Sequence, residues 1–293
     1  MPHPLIFDRR LLRARRVRAA AHEPATFLVE RAAEDLAGRL SAILRKFDLA
    51  LDLGTPTDAV RSALTNRVGA IVAVDPVASQ LAGQRLAVVA DEEALPFRDA
   101  SLDLVVSALT LQFVNDLPGT LIQIRRALRP DGLFLAAMIG GDSLAELREA
   151  FAQAEAEVEG GVSPRVAPFA DLRDLGALLQ RAGFALPVTD VDRVVVRYAS
   201  ALGLMADLRR MGAANSLVER RRMPMRRATL LRMAEIYAER FADPDGRIRA
   251  TFDIIWLSGW APHESQQKPL QPGSATASLE AAVKRSPRAS ADD

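Results

Sequence analysis

The chain has no cysteine among its 293 residues, which removes disulfides, thiolate nucleophiles and sulfur-ligated zinc or iron clusters from its chemistry. Histidine is nearly as scarce. Of three, His3 and His22 lie in the N-terminal arm, so a non-haem iron site of two histidines and a carboxylate has only His263 to start from. No stretch approaches the roughly 18 consecutive apolar residues of a membrane span, and no apolar signal-peptide core follows the basic N-terminus. An excess of charge is also missing: 38 basic residues against 37 acidic ones leave a net +1, so no general attraction for nucleic acid is expected. A cytoplasmic setting is the simplest expectation. The 49% hydrophobic content is enough for a real core.

What is present is an alternation of short apolar runs with helical segments. The run at 49–53 ends in Gly54 and is followed by a helix over 59–64; further β-compatible runs fall at 70–74, 86–89, 102–107 and 133–138. A helix over 117–128 is stopped by Arg129-Pro130-Asp131-Gly132. This pattern predicts an α/β fold, a Rossmann-like doubly wound and mostly parallel sheet whose ligands bind outside the carboxyl ends of the strands. Residues 1–44 read as a basic N-terminal arm with a leading helix and 45–141 as the Rossmann-like core. Residues 142–268 read as a helical insertion plus closing strands at 188–198 and 252–260, and 269–293, rich in Pro, Ser, Ala and Lys, as a disordered tail.

Two stretches concentrate arginine. Residues 7–18 form a short basic amphipathic segment, either an arm for a membrane surface or partner or a solvated helix that packs Leu11, Leu12 and Val17 on the domain. Residues 219–227 offer a basic patch for an acidic partner or for headgroups at the inner face of a membrane. After the fifth strand, Asp142 is placed to cap the next helix or to line an acceptor pocket.

The series Leu51-Asp52-Leu53-Gly54, Val74-Asp75, Ala90-Asp91-Glu92, Phe97, the run at 103–107 and Leu128-Arg129-Pro130-Asp131-Gly132 resembles class I S-adenosylmethionine-dependent methyltransferases. Further stretches, among them Phe7-Asp8-Arg9, Val114-Asn115-Asp116-Leu117-Pro118, Gly140-Gly141-Asp142-Ser143-Leu144 and Trp260-Ala261-Pro262-His263-Glu264-Ser265-Gln266, are similar to the family of mitochondrial complex I assembly factor 5 and its bacterial relatives. The resemblance implies S-adenosylmethionine as cofactor, contacted by Asp52, Gly54, Asp75, Asp91, Glu92 and Ser107, with Asp75 on the ribose and Asp91 or Glu92 on the adenine amino group. It implies no metal, a complex I peripheral-arm subunit as partner, and Asp142 and His263 as catalytic candidates. Methyl transfer is the activity expected first. Hydroxylation of an arginine in a complex I subunit and a non-catalytic scaffold role are the alternatives. One departure stands out: where the superfamily carries further glycines after Gly54, this chain has Pro56 and Asp58. Proline removes an N–H and fixes φ near −65°, and Asp58 would repel the cofactor's carboxylate unless Arg61 compensates. The expectation is binding that is weakened or lost.

Overall fold

The strand–helix alternation is realised as one seven-stranded sheet among the described residues, 5–266, of a computed structural model. Its strands are β1 (Phe47–Leu53), β2 (Val68–Asp75), β3 (Ala87–Val89), β4 (Leu102–Ala108), β5 (Leu128–Gly140), β6 (Ala185–Tyr198) and β7 (Ile248–Trp260). They are ordered β3-β2-β1-β4-β5-β7-β6. The first five pair in parallel, whereas β7 runs antiparallel to both β5 and β6. Residues up to Pro262 make one compact unit; His263 opens a second, of which only the first few residues are described. The predicted tail at 269–293 lies outside the described residues.

Helices cover both faces, so the central strands are apolar on both sides and read as continuous runs. All of β4 is buried. One apolar cluster joins the sheet to α2 (Phe27–Ser41), α3 (Ala59–Leu64), α5 (Ala145–Glu159), α7 (Ala201–Arg210) and α8 (Arg227–Phe241). A second joins the other face to α4 (Leu117–Ala127) and α6 (Leu172–Arg181). In α2 the buried set Leu28, Val29, Ala32, Ala33, Leu36, Ala37 and Leu40 follows the helical period. Caps fix the starts of α4, where Asp116 accepts from the Gly119 N–H at 2.8 Å, and of α1 (Arg9–Ala20), where Asp8 accepts from Leu11 at 2.9 Å.

Three expectations are corrected. The run Arg129-Pro130-Asp131-Gly132 does not separate helix from strand but lies inside β5, with Asp131 at φ 62° and a register shift between the Leu102 and Leu104 pairs. A bulge admits proline without breaking the ladder. Asp142 does not cap α5: Leu144 holds the cap position at φ 55° without a side-chain bond, and the Asp142 N–H instead donates to Asp253 Oδ2 at 3.0 Å. The third concerns the basic segment, where the packed helix rather than the free arm is realised but not with the expected residues: α1 buries Leu12 and Arg16 and turns Arg9 and Arg13 to acids, while Val17 is 48% exposed and Arg10 and Arg18 stay on the surface.

The chain leaves β5 through Gly140, where an added Cβ would lie 2.9 Å from the Ala170 carbonyl oxygen and against Ile255 Cδ1. Because one of those atoms is backbone, Gly140→Ala is expected to cost about 2 kcal/mol. Denaturant unfolding measures this; an unchanged midpoint would mean the turn relaxes freely.

Candidate functional site

Four strand ends and one N-terminal helix build the site. After β1, Gly54 takes φ 69° and its N–H donates to the Val74 carbonyl at 2.7 Å. A Cβ here would come within 2.6 Å of Thr110 Cγ2 and 2.8 Å of Glu92 Oε1. The glycine is therefore required by close packing against those two side chains. No residue from 55 to 58 takes a positive φ, so Pro56 fits the path the turn follows. Asp52 is fully buried, accepts from the Thr55 hydroxyl and pairs with Arg61, which also donates to the Thr57 carbonyl at 2.8 Å. Burial outweighs Arg61 and pushes the Asp52 carboxyl up to about 6. Arg61 is thus committed to Asp52, and the side-chain partner of Asp58 is the Ser62 hydroxyl at 3.5 Å.

At the end of β2, Asp75 Oδ1 accepts from the Val77 N–H at 2.7 Å, while Oδ2 is buried without a hydrogen-bond partner. Burial, opposed by the Arg16 charge, pushes this carboxyl up to about 6 as well. Beyond β3, both acids are taken by α1. Arg9 reaches Asp91 at 2.8 Å and also Glu92; Arg13 pairs with Asp91; Arg16 reaches Glu92 at 3.3 Å and the Thr110 hydroxyl at 3.0 Å. Glu92 and Arg16 are buried. Burial alone would raise Asp91, but the Glu93 N–H and the Arg9 and Arg13 guanidiniums outweigh it and hold its carboxyl below the usual range. Ser107, at the end of β4, is buried and donates to the Leu53 carbonyl at 2.7 Å.

A cavity of about 580 Å³ opens beside these strand ends. Its polar side is formed by Pro56, Thr57, Asp58 and Arg61 after β1, Ser79 and Gln80 after β2, and Gln112 after β4. Its apolar side is formed by Leu144, Leu147, Phe151, Phe169, Met205 and Phe252. Phe7 and Arg16 close it together with residues 213–217. The closure is stitched: Phe7 forms a bridge with Leu217, the Asp8 N–H donates to the Ser216 carbonyl at 2.8 Å, the Val218 N–H to Ile6 at 2.9 Å, and Arg220 lies 3.3 Å from Asp8.

The expected cofactor contacts Asp52, Gly54, Asp75, Asp91, Glu92 and Ser107 are brought to the same end of the sheet, yet none of them lines this cavity. They support the residues that do. Asp142 is set apart, its side chain 79% exposed and 3.4 Å from Arg193, while Asp253, overlooked in the sequence, is the buried acid there and pairs with Arg193 at 2.7 Å. His263 belongs to the second unit, where its Nδ1 lies 2.6 Å from the Ser265 hydroxyl. In the 219–227 run, Arg220 pairs with Asp8 and Arg221 with Glu159, so much of that basic patch is internally neutralised. The residues that sequence reasoning missed are Arg9, Arg13 and Arg16 as ligands of the acidic loop. Their spacing of four and three puts them on one helix face, the available signal.

The sign of the pH dependence follows from Asp52 and Asp75. Their folded-state values near 6 exceed the unfolded value of 3.8. Between about pH 4 and 6 the native state therefore binds protons that the unfolded chain does not, and stability falls as pH rises through that window. Thermal melting should give a higher midpoint at pH 5 than at pH 8, with the difference reduced in Asp75→Asn; a midpoint that rises steadily to pH 8 would contradict the assignment. Separately, Glu92→Gln leaves Arg9 and Arg16 short of their shared buried counter-charge and is expected to cost about 3 kcal/mol in denaturant unfolding.

Comparison with known proteins agrees with this fold. A family described as a methyltransferase domain matches residues 51–136. The human protein named arginine-hydroxylase NDUFAF5, mitochondrial, is 42% identical over 284 residues, covering 94% of this chain and 82% of that one. A malonyl-[acyl-carrier protein] O-methyltransferase of Laribacter hongkongensis is 39% identical over 186 residues, covering 64% of this chain and 60% of its own length. Among solved structures, the YcgJ protein of Bacillus subtilis shares the fold, with a TM-score of 0.53, 15% identity, and coverage of 78% of this chain and 98% of that one. The chain belongs to the NDUFAF5 family and carries that family's sequence on a class I methyltransferase fold.

Proposed function

We propose that this protein is an assembly factor for respiratory complex I that hydroxylates an arginine side chain of a peripheral-arm subunit, one oxygen atom of dioxygen entering the C–H bond and the other leaving as water at the expense of an external two-electron reductant. The observation that carries this reading is the extent of the similarity. It spans 94% of the chain, well beyond the methyltransferase-domain match at 51–136, which leaves out α1 and the 213–217 segment that close the cavity. A cavity of about 580 Å³ falls within the roughly 300–1,000 Å³ of ligand pockets. Its apolar lining at Leu144, Phe151 and Phe252 suits the aliphatic stem of an arginine.

The residues present fit S-adenosylmethionine at one end only. Asp75 Oδ2, an orphaned buried acceptor at the end of β2, is suited to a ribose hydroxyl. At the methionine end Pro56 has no N–H to donate, Asp58 brings a negative charge, and Arg61 is committed to Asp52. Bound there, the cofactor would supply an electrophilic methyl group. We infer weak binding, with a dissociation constant on the order of 0.1 mM, about −5.5 kcal/mol. The basic segments spend much of their charge internally, which favours a protein partner over a membrane surface. Among the described residues no helix is long and apolar enough to cross a membrane.

Mass spectrometry of complex I from cells with and without this protein distinguishes an added oxygen from an added methyl group on arginine. The expected result is an oxygen that disappears in the deletion strain. An identical modification pattern in both strains would overturn the enzymatic reading, and a methyl group would transfer it to the methyltransferase alternative.

A further inference from the structure

The charge balance of the cavity wall singles out one residue. Among the described residues that line it Asp58 is the one acid, set against the arginines Arg16, Arg61, Arg165 and Arg209. Three of those four are already neutralised by acids outside the wall: Arg16 by Glu92 at 3.3 Å, Arg61 by Asp52, and Arg165 by Glu155, which its Nε reaches at 2.7 Å. Each of these acids is buried. Asp58, by contrast, has no ion pair among the described residues, and its side-chain hydrogen bond is the long 3.5 Å contact with Ser62. Arg61, the neighbouring cation one turn along α3, is turned to Asp52 and the Thr57 carbonyl.

We propose that Asp58 is the specificity residue of this cavity and receives the guanidinium of the substrate arginine, an assignment that rests on the arginine-modifying reading above. The geometry supports it from three directions. The carboxylate shares the lining of one cavity with the apolar side chains Leu144, Leu147, Phe151 and Phe252. A side chain that is aliphatic along its stem and cationic at its tip matches that mixed lining. A carboxylate accepts a guanidinium through two parallel N–H bonds, a geometry that an ammonium cannot reproduce. Because Arg16, Arg61 and Arg165 are already balanced, the incoming cation meets one unbalanced acid, with the exposed Arg209 as the one lining arginine that no acid among the described residues neutralises. The acid at position 58, which opposes the carboxylate of a bound S-adenosylmethionine, thereby selects for the opposite charge.

Calorimetry with an arginine-containing peptide from the peripheral-arm subunit tests this, using the same peptide with citrulline as a neutral isostere. The wild-type protein is expected to bind the arginine peptide at least about tenfold more tightly than the citrulline peptide, the scale of a charge-assisted hydrogen bond. Asp58→Asn should remove that preference, Asp58→Glu should keep part of it, and neither exposed substitution should move the melting midpoint. S-adenosylmethionine should bind Asp58→Asn at least as well as it binds the wild type. Full arginine preference in Asp58→Asn would overturn the assignment while leaving the arginine reading intact. Loss of S-adenosylmethionine binding in that variant, with arginine preference unchanged, would place Asp58 on the cofactor instead and overturn it equally. A wild-type protein that does not distinguish the two peptides would overturn the arginine reading itself.

Discussion

The carboxylate of Glu92 is buried and held by two guanidiniums from the N-terminal helix, Arg9 and Arg16. A buried carboxylate without a partner is expensive, so the loop after β3 and the helix α1 must be placed together. Gly54 belongs to the same constraint, because any side chain there would collide with Glu92 and Thr110. Arg16 closes the circuit by donating to the Thr110 hydroxyl, and that residue bonds the Gly54 carbonyl. The turn after β1, the loop after β3, the exit of β4 and α1 thus form one interlocked unit. The cavity follows from it: with α1 fixed, Phe7 and Asp8 are positioned to bind residues 216–218 and draw the second half of the closure across the strand ends.

This arrangement gives the strand-end acids unequal roles. Asp91 and Glu92, expected on the adenine, serve as anchors for the roof, and Asp52 is consumed by Arg61. Asp75 keeps an acceptor atom free of protein partners at the end of β2. An enzyme of this fold that depended on Asp91 or Glu92 for its cofactor would have to break ion pairs within a buried network before binding. The cavity wall, by contrast, includes segments outside the methyltransferase-domain match at 51–136.

The sheet was legible because both faces of its central strands are buried and their sequences are continuously apolar: β1, β2, β4 and β5 sit where the runs predicted them. Boundaries failed where tertiary pairing overrode local signals. The Pro130 and Gly132 pair reads as a helix stop but lies within β5, and β7 begins at Ile248, several residues before its apolar run, because its pairing with β6 extends through Arg249 and Thr251. Asp142 looked like a cap because it follows a glycine pair and precedes a helical run; the turn at Gly141 delays the helix to Ala145. The site was legible only in outline. The positions of Asp75, Asp91 and Glu92 followed from strand register, but their partners did not, since Arg9 and Glu92 are separated by 83 residues. An arginine-rich segment in an otherwise balanced sequence reads as a surface feature; only the fold reveals that the complementary acids are internal.

The same distance between local and tertiary causes governs the turn after β1. Judged against a glycine-rich template, Pro56 and Asp58 are losses, one of an N–H donor and one of electrostatic neutrality. In the structure the single left-handed residue of that turn is Gly54, which packing demands, and the chain continues through 55–58 without any further positive φ. Proline then costs the backbone nothing, because the conformation that would exclude it is not used. Asp58 likewise adds no repulsion to its surroundings, since the nearby acid Asp52 is buried behind its own arginine. Neither residue strains the fold, so their effect falls on whatever enters the cavity. At the turn itself a carboxylate without an ion pair among the described residues favours a cation over a carboxylate in its immediate neighbourhood, while Arg209 elsewhere on the wall remains a donor for an anion.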